Sequence, residues 1–164
     1  MTRHTEISAV ERWLSRAQAA PELAWREWKD AGVALLPCGS RFCAIKIPAQ
    51  LVFAAVGTPE YRAVDAALAQ RLDGPVIHDG RGQYVYALIK AMNPKDWPFG
   101  REAPLLGDGT YLGVPKEEHN GPSRVHWAVP PRFPGNLCSP RSVEQLVAAG
   151  RAALVESALG AGER

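Results

Sequence analysis

Lys46 stands in the second half of RFCAIKIP, residues 41–48, an apolar run that otherwise has the composition of a short buried strand. An ammonium there either snorkels to solvent from the strand end or faces a cleft, where it would attract phosphate directly. Arg41, Arg81 and Arg124 fall at expected strand ends or turns, where guanidinium groups reach phosphates or simply remain solvated. Tyr84, Tyr86 and Tyr111 fall in expected strands, and exposed sheet aromatics stack on bases. A second set is acidic. Asp79 in DGRG, Asp108 in LGDGT, and Glu117, Glu118 and His119 in KEEHN would have to converge to hold divalent metal. Aspartate before glycine is favoured in tight turns, so turn chemistry is the plainer account of Asp79 and Asp108.

A third set would be a zinc site. Cys38 and Cys43 are four residues apart, and His78, His119, His126 and Cys138 would have to supply the other ligands. No second paired spacing exists, so the expectation is buried, reduced thiols, no bound metal and no cofactor. His78 and His126 read individually as packed, hydrogen-bonded sheet residues. The glycine-rich turns lack the lysine-serine ending of a P-loop, no serine sits in a nucleophile elbow, and the cysteines have no evident activating partner.

These residues must be positioned by one domain's worth of chain. The 164 residues, 46% hydrophobic and 22% charged, match an ordinary globular domain. A formal net charge of +2 is too small to indicate nucleic-acid binding by bulk charge. No apolar run approaches the ~20 residues of a membrane span. MTRHTEISAVERW lacks a signal-peptide core, so the expected location is cytoplasmic, with no membrane partner.

Ile7, Val10, Trp13, Leu14 and Ala17 form a helical stripe over residues 6–18, and a second short helix runs from Glu22 to Asp30 with Gly32 closing it. VALLPCGSRFCAIKIP reads as two tightly joined strands ending at Pro48. Thr58 and Pro59 predict a helix start, continued by Tyr61, Val64, Leu68 and Leu72 and stopped by Gly74. PVIHDGRGQYVYALI is a hairpin signature, and MNPKDWPFGREAP a surface loop. GTYLGVP and RVHWAVP predict a further hairpin, and a last helix starts at Ser139 and Pro140. The order predicts an α+β fold, a mostly antiparallel sheet flanked by helices. Residues 1–32 form an N-terminal helical segment packed into one unit with the domain at 33–160.

Three segments in sequence resemble the N-terminal domain of bifunctional DNA primase-polymerases, in the archaeo-eukaryotic primase superfamily. LLPCGSRFCAIKIPA is similar to that family's glycine turn and strand ending in an acidic pair. GPVIHDGRGQYVYAL resembles its strand, glycine-rich turn and histidine-bearing strand. LLGDGTYLGVPKEEHNGPSRVHW, the most specific of the three, resembles its Gly-Gly-Tyr strand, proline, polar loop and Tyr-x-Trp strand. The resemblance spans roughly residues 33–131. It implies an RRM-like, primase-polymerase-type sheet and two-metal nucleotidyl transfer. It also implies lost ligands, because the acidic pair falls on Lys46 and Pro48. The histidine falls on Tyr84 when the turn is aligned through Gly82, and the third acidic residue falls near Pro104.

The expected function is therefore a catalytically degenerate primase-polymerase-like domain in an accessory or regulatory role in DNA replication. It would bind nucleic acid, nucleotide or a replication partner through Arg41, Lys46, Arg81, Tyr84, Tyr86 and Arg124, with Lys46 in place of a metal ligand. One alternative is an active primase or polymerase using Mg or Mn on displaced acids, with Asp79, Asp108 and Glu117 as candidates. The other is a protein-interaction module docking through the tryptophan-rich helices that carry Trp13, Trp25 and Trp28.

Overall fold

Ser8 and Glu11 form a reciprocal capping box, each side chain accepting from the other's backbone N–H, and this starts helix α1, Ala9–Ser15. Pro21 occupies the first turn of α2, Pro21–Ala31, and Gly32 ends it at φ 76°. The computed structural model describes residues 7–81, 83–118 and 125–162. The chain continues through β1, Val33–Pro37; β2, Cys43–Pro48; α3, Ala49–Val56; α4, Tyr61–Arg71; β3, Val76–Asp79; and β4, Tyr84–Ile89. It ends with β5, Leu105–Leu106; β6, Tyr111–Pro115; β7, Val125–Val129; and α5, Pro140–Gly162.

The fold is α+β. Five strands form an antiparallel sheet in the order β5-β2-β4-β3-β7, and β1 and β6 form a separate antiparallel ribbon. Strand alternation gives the sheet two buried faces. Ile45, Ile47, Val85, Ala87 and Ile89 pack against Leu51, Val52, Val64, Leu68, Val143 and Val147 from α3, α4 and α5. Phe42, Ala44, Ile77, Leu88 and Trp127 share a second core with Leu36, Leu112 and Val114 of the ribbon and with Val10, Leu14 and Trp28 of the N-terminal helices. The layers are helices, sheet, then ribbon with the N-terminal helices.

The hairpin of β3 and β4 forms as the sequence predicts. The second expected hairpin, of β6 and β7, does not form, and the two tightly joined strands β1 and β2 do not pair. β1 pairs with β6 rather than β2, and β7 pairs with β3 rather than β6. The turn between β1 and β2 is a corner, where Cys38 N–H donates to Thr110 O, Gly39 adopts φ 108°, and a Cβ on Gly39 would collide with Asp108. That corner carries the chain from the ribbon layer to the sheet layer, so the two strands are neighbours in sequence only.

Three local expectations are also corrected. Pro48 ends β2 but leads directly into α3, which the sequence reading did not anticipate because no side chain caps its start. Glu60 rather than Thr58 caps α4, accepting from Ala63 N–H, while Thr58 Oγ1 accepts from Glu60 N–H. The expected surface loop after β4 is anchored inward by Trp97, which is buried and donates to Ala103 O at 2.7 Å. No helix among the described residues is long and apolar enough to cross a membrane.

Candidate functional site

Between the five-stranded sheet and the ribbon lies a cleft of about 380 Å³. The sheet supplies Lys46 from β2, Tyr86 from β4, Ile77 and Asp79 from β3, Leu106 from β5 and Val125 from β7. The ribbon side supplies Thr110, Tyr111, Leu112 and Gly113. Alternation along β2 turns Ala44 and Lys46 to this side and Ile45 and Ile47 to the helices. Ala44 is buried, and Lys46, one pleat further, reaches the half-open cleft.

Lys46 is the register partner of Tyr86, and Pro48 that of Tyr84. The Lys46 ammonium lies 4.2 Å from the Tyr84 ring centroid, and the Tyr84 and Tyr86 rings are 6.4 Å apart. A cation over a phenol ring contributes roughly 0.5–1 kcal/mol at an exposed site and about 2 when desolvated. Half-buried Lys46 falls between these limits. Its backbone N–H donates to Pro104 O at 2.9 Å, so Lys46, Pro48, Tyr84 and Pro104 are neighbours in space. Burial raises the pKa of the Tyr86 phenol, helped by the Asp79 charge and by Tyr84. Tyr86 is therefore a hydrogen-bond donor at neutral pH.

The remaining expected site residues disperse. Arg41 is exposed with its guanidinium 5.9 Å from the Trp13 ring centroid, and it does not line the cleft. Arg81 is exposed in the β3–β4 turn, where its backbone N–H donates to Asp79 Oδ1 at 3.1 Å. That bond is the turn chemistry expected of Asp79, whose position also lines the cleft. Tyr111 is 63% exposed at the cleft mouth. Arg124, His119 and Gly82 lie outside the described residues. The displaced acids do not converge. Asp108 lines a different groove beside Gly39 and Met92, and the backbone N–H of Glu117 donates to Glu11 Oε2 at 3.0 Å.

The cysteines are all free and buried, with burial pushing the thiol pKa of Cys38 to about 11 and that of Cys138 to about 12. Cys38 and Cys138 are therefore poor nucleophiles at neutral pH. Of the tryptophans, Trp28 is 2% exposed and donates to Val114 O, and Trp25 donates to Ser15 Oγ. Trp28 is core, not part of a docking face.

One constellation went unread in the sequence. Asp65 of α4, His78 of β3 and His126 of β7 place three ligand-type atoms within 4.8 Å of one another, the one such group of three among the described residues. His78 and His126 are register partners with ring centroids 5.3 Å apart. His126 Nε2 lies 3.1 Å from Asp65 Oδ2, whereas His78 Nδ1 lies 3.7 Å from Asp65 Oδ1, beyond hydrogen-bond reach. Neither His78 Nδ1 nor Asp65 Oδ1, both shut off from solvent, has a hydrogen-bond partner among the described residues. A polar atom left so typically costs about 1–3 kcal/mol. Burial alone would raise the Asp65 pKa, but the His126 hydrogen bond and the approach of His78 outweigh it and hold the carboxyl below its ordinary value. Asp65 follows buried Val64 on the apolar side of its helix, a signal visible in the sequence only with the strand pairing in hand.

Comparison of the sequence with protein-family models and curated proteins, and of the fold with solved structures, finds no match.

Proposed function

We propose that this chain is a noncatalytic, primase-polymerase-like domain that holds the phosphate of single-stranded nucleic acid or a nucleotide in the Lys46 cleft, in an accessory role in DNA replication. The observation that carries the reading is the Lys46 ammonium in a cleft walled by two sheets, beside phenols that can stack or donate. A fixed cation attracts phosphate directly and repels a divalent metal. Tyr86 and exposed Tyr111 supply the stacking and hydrogen-bonding surface that a base or sugar requires. The proximity of Lys46, Pro48, Tyr84 and Pro104 supports the resemblance. These are the positions where it puts the acidic pair, the histidine and the third acid, brought together by the pairing of β2 with β4 and β5.

Dispersal of Asp79, Asp108 and Glu117 weighs against two-metal chemistry on those acids, which needs the carboxylates around ions about 3.5–4 Å apart. The test is fluorescence anisotropy with labelled oligo-dT and labelled nucleoside triphosphate, with and without magnesium, at two salt concentrations. The expected result is metal-independent binding that weakens with salt and is lost on Lys46→Glu. Strictly magnesium-dependent triphosphate binding with primer synthesis would replace this reading with an enzyme. No binding of either probe would overturn it in favour of a protein partner.

A further inference from the structure

β3 presents different chemistry to its two sides. Ile77 and Asp79 line the cleft, while His78 between them points to the helix layer, toward Asp65 of α4. On that far side His78 is 6% exposed and His126 3% exposed, and both face a carboxylate whose side chain is 18% exposed. We infer that Asp65, His78 and His126 form a binding site for one zinc-class divalent ion, which ties α4 to β3 and β7.

The geometry favours an ion over a hydrogen-bonded network. A proton can join His126 Nε2 to Asp65 Oδ2 across 3.1 Å, but none can usefully join His78 Nδ1 to Asp65 Oδ1 across 3.7 Å. The second pair is therefore two buried polar atoms facing each other without a bond. An ion satisfies both at once. Zinc binds imidazole nitrogen and carboxylate oxygen at about 2.0–2.2 Å, which sets neighbouring tetrahedral ligands about 3.3 Å apart. The two measured separations bracket that spacing, and the three atoms, all within 4.8 Å of one another, need only side-chain rotation to close on a common centre.

The donor set fits the same class. Two imidazoles with one carboxylate suit zinc and its neighbours, whereas magnesium and calcium demand more oxygen ligands. Asp65 supplies the carboxylate oxygen of that set. It is also the most exposed of the three, which leaves a fourth position on its side for water. The ion would be structural. It would bridge a helix and two sheet strands distant in sequence, and it would stiffen the strand whose other face carries Asp79 in the cleft.

The experiment is calorimetric titration of the chelator-treated full chain with zinc chloride, alongside cobalt substitution read by visible absorption. One zinc per chain, with a dissociation constant below about 1 µM and a raised melting temperature, is expected. Cobalt should give a four-coordinate visible spectrum without the near-ultraviolet thiolate band. Asp65→Ala, which removes a ligand but leaves a good helix former, should weaken zinc binding at least about 100-fold. Zinc affinity unchanged in Asp65→Ala, a thiolate band, or no zinc binding by the wild-type chain would each overturn the assignment. If Asp65→Ala does not fold, the wild-type stoichiometry and cobalt spectrum decide alone.

Discussion

Replacing Lys46 with methionine separates what this residue contributes to stability from what it contributes to binding. The thioether keeps most of the aliphatic stem, so the packing along β2 is conserved and only the ammonium goes. On the stability side, the contact with Tyr84 at 4.2 Å is lost, worth roughly 1–2 kcal/mol for a half-buried cation. The desolvation of a half-buried ammonium is removed at the same time, and the two changes oppose. Urea denaturation should therefore place Lys46→Met within about 1 kcal/mol of the wild type. On the binding side, a charge-assisted contact to phosphate contributes about 1.5–3 kcal/mol, or roughly 10- to 150-fold in affinity. The salt dependence gives a second, independent reading. Losing one phosphate contact on a single strand lowers the slope of log affinity against log salt by about 0.7. Anisotropy with labelled oligo-dT across a salt series measures both. A folded Lys46→Met protein with unchanged affinity and slope would refute a phosphate contact at this position. Lys46→Glu should be worse than Lys46→Met, because it sets a second carboxylate in the cleft that Asp79 lines.

Trp28→Ala should destabilise the chain by about 3–5 kcal/mol in urea denaturation, because it empties a core site and leaves Val114 O without its donor, whereas half-buried Trp25→Ala should cost clearly less. Equal effects would contradict the assignment of Trp28 to the core. Gly150→Ala gains up to about 1 kcal/mol of helix propensity, but the new Cβ would strike the backbone carbonyl of Leu51, so thermal denaturation should show a net loss of about 1–3 kcal/mol. Asp73 accepts from Ser139 N–H at 2.8 Å and from the Ser142 hydroxyl at 3.0 Å at the start of α5. Slight burial raises its pKa, but these hydrogen bonds outweigh it and hold the carboxyl below its ordinary 3.8. A lowered folded pKa means that its stabilisation is fully present above about pH 4 and disappears as the pH falls through the folded value. Asp73→Ala should therefore cost up to about 1 kcal/mol at pH 7, and its denaturation curve should converge on the wild type's in acid.

The elements were more legible than their partners. The first two helices announced themselves through local patterns, the Ile7–Ala17 stripe and Pro21, and the β3–β4 hairpin through a turn whose Asp79 bonds within its own four residues. Such signals act over a few residues and read directly from the chain. The pairing of β1 with β6 joins Val33 to Pro115, and no local preference at either end encodes the other. Strands adjacent in sequence usually pair, and the tight turn between β1 and β2 gives no sign that they part. What separates them is the corner at Gly39, where backbone of positive φ packs against Asp108, a contact seventy residues away in the chain. Helix α3 was hidden differently. Its residues are apolar apart from Gln50, and no side-chain cap marks where strand gives way to helix.

The same asymmetry divides the two candidate sites. The Lys46 cleft was visible because one charged residue broke the pattern of a strand, and a pleat of period two then dictates which neighbours share its face. Register adds that Tyr86 lies opposite, and the ring of Tyr84 one pleat away completes the contact. The triad offered no such break. His78 and His126 each sit unremarkably in an apolar strand, and Asp65 is a single carboxylate between Val64 and Ala66 of α4. They become a site only because β7 crosses to pair with β3, and α4 packs on β7 with Asp65 reaching His78 of β3. A reading confined to one strand therefore finds only the out-of-place cation, Lys46. The ligand set appears only when the pairing of β3 with β7 is known, and it is then marked by two atoms, His78 Nδ1 and Asp65 Oδ1, that have no hydrogen-bond partner among the described residues.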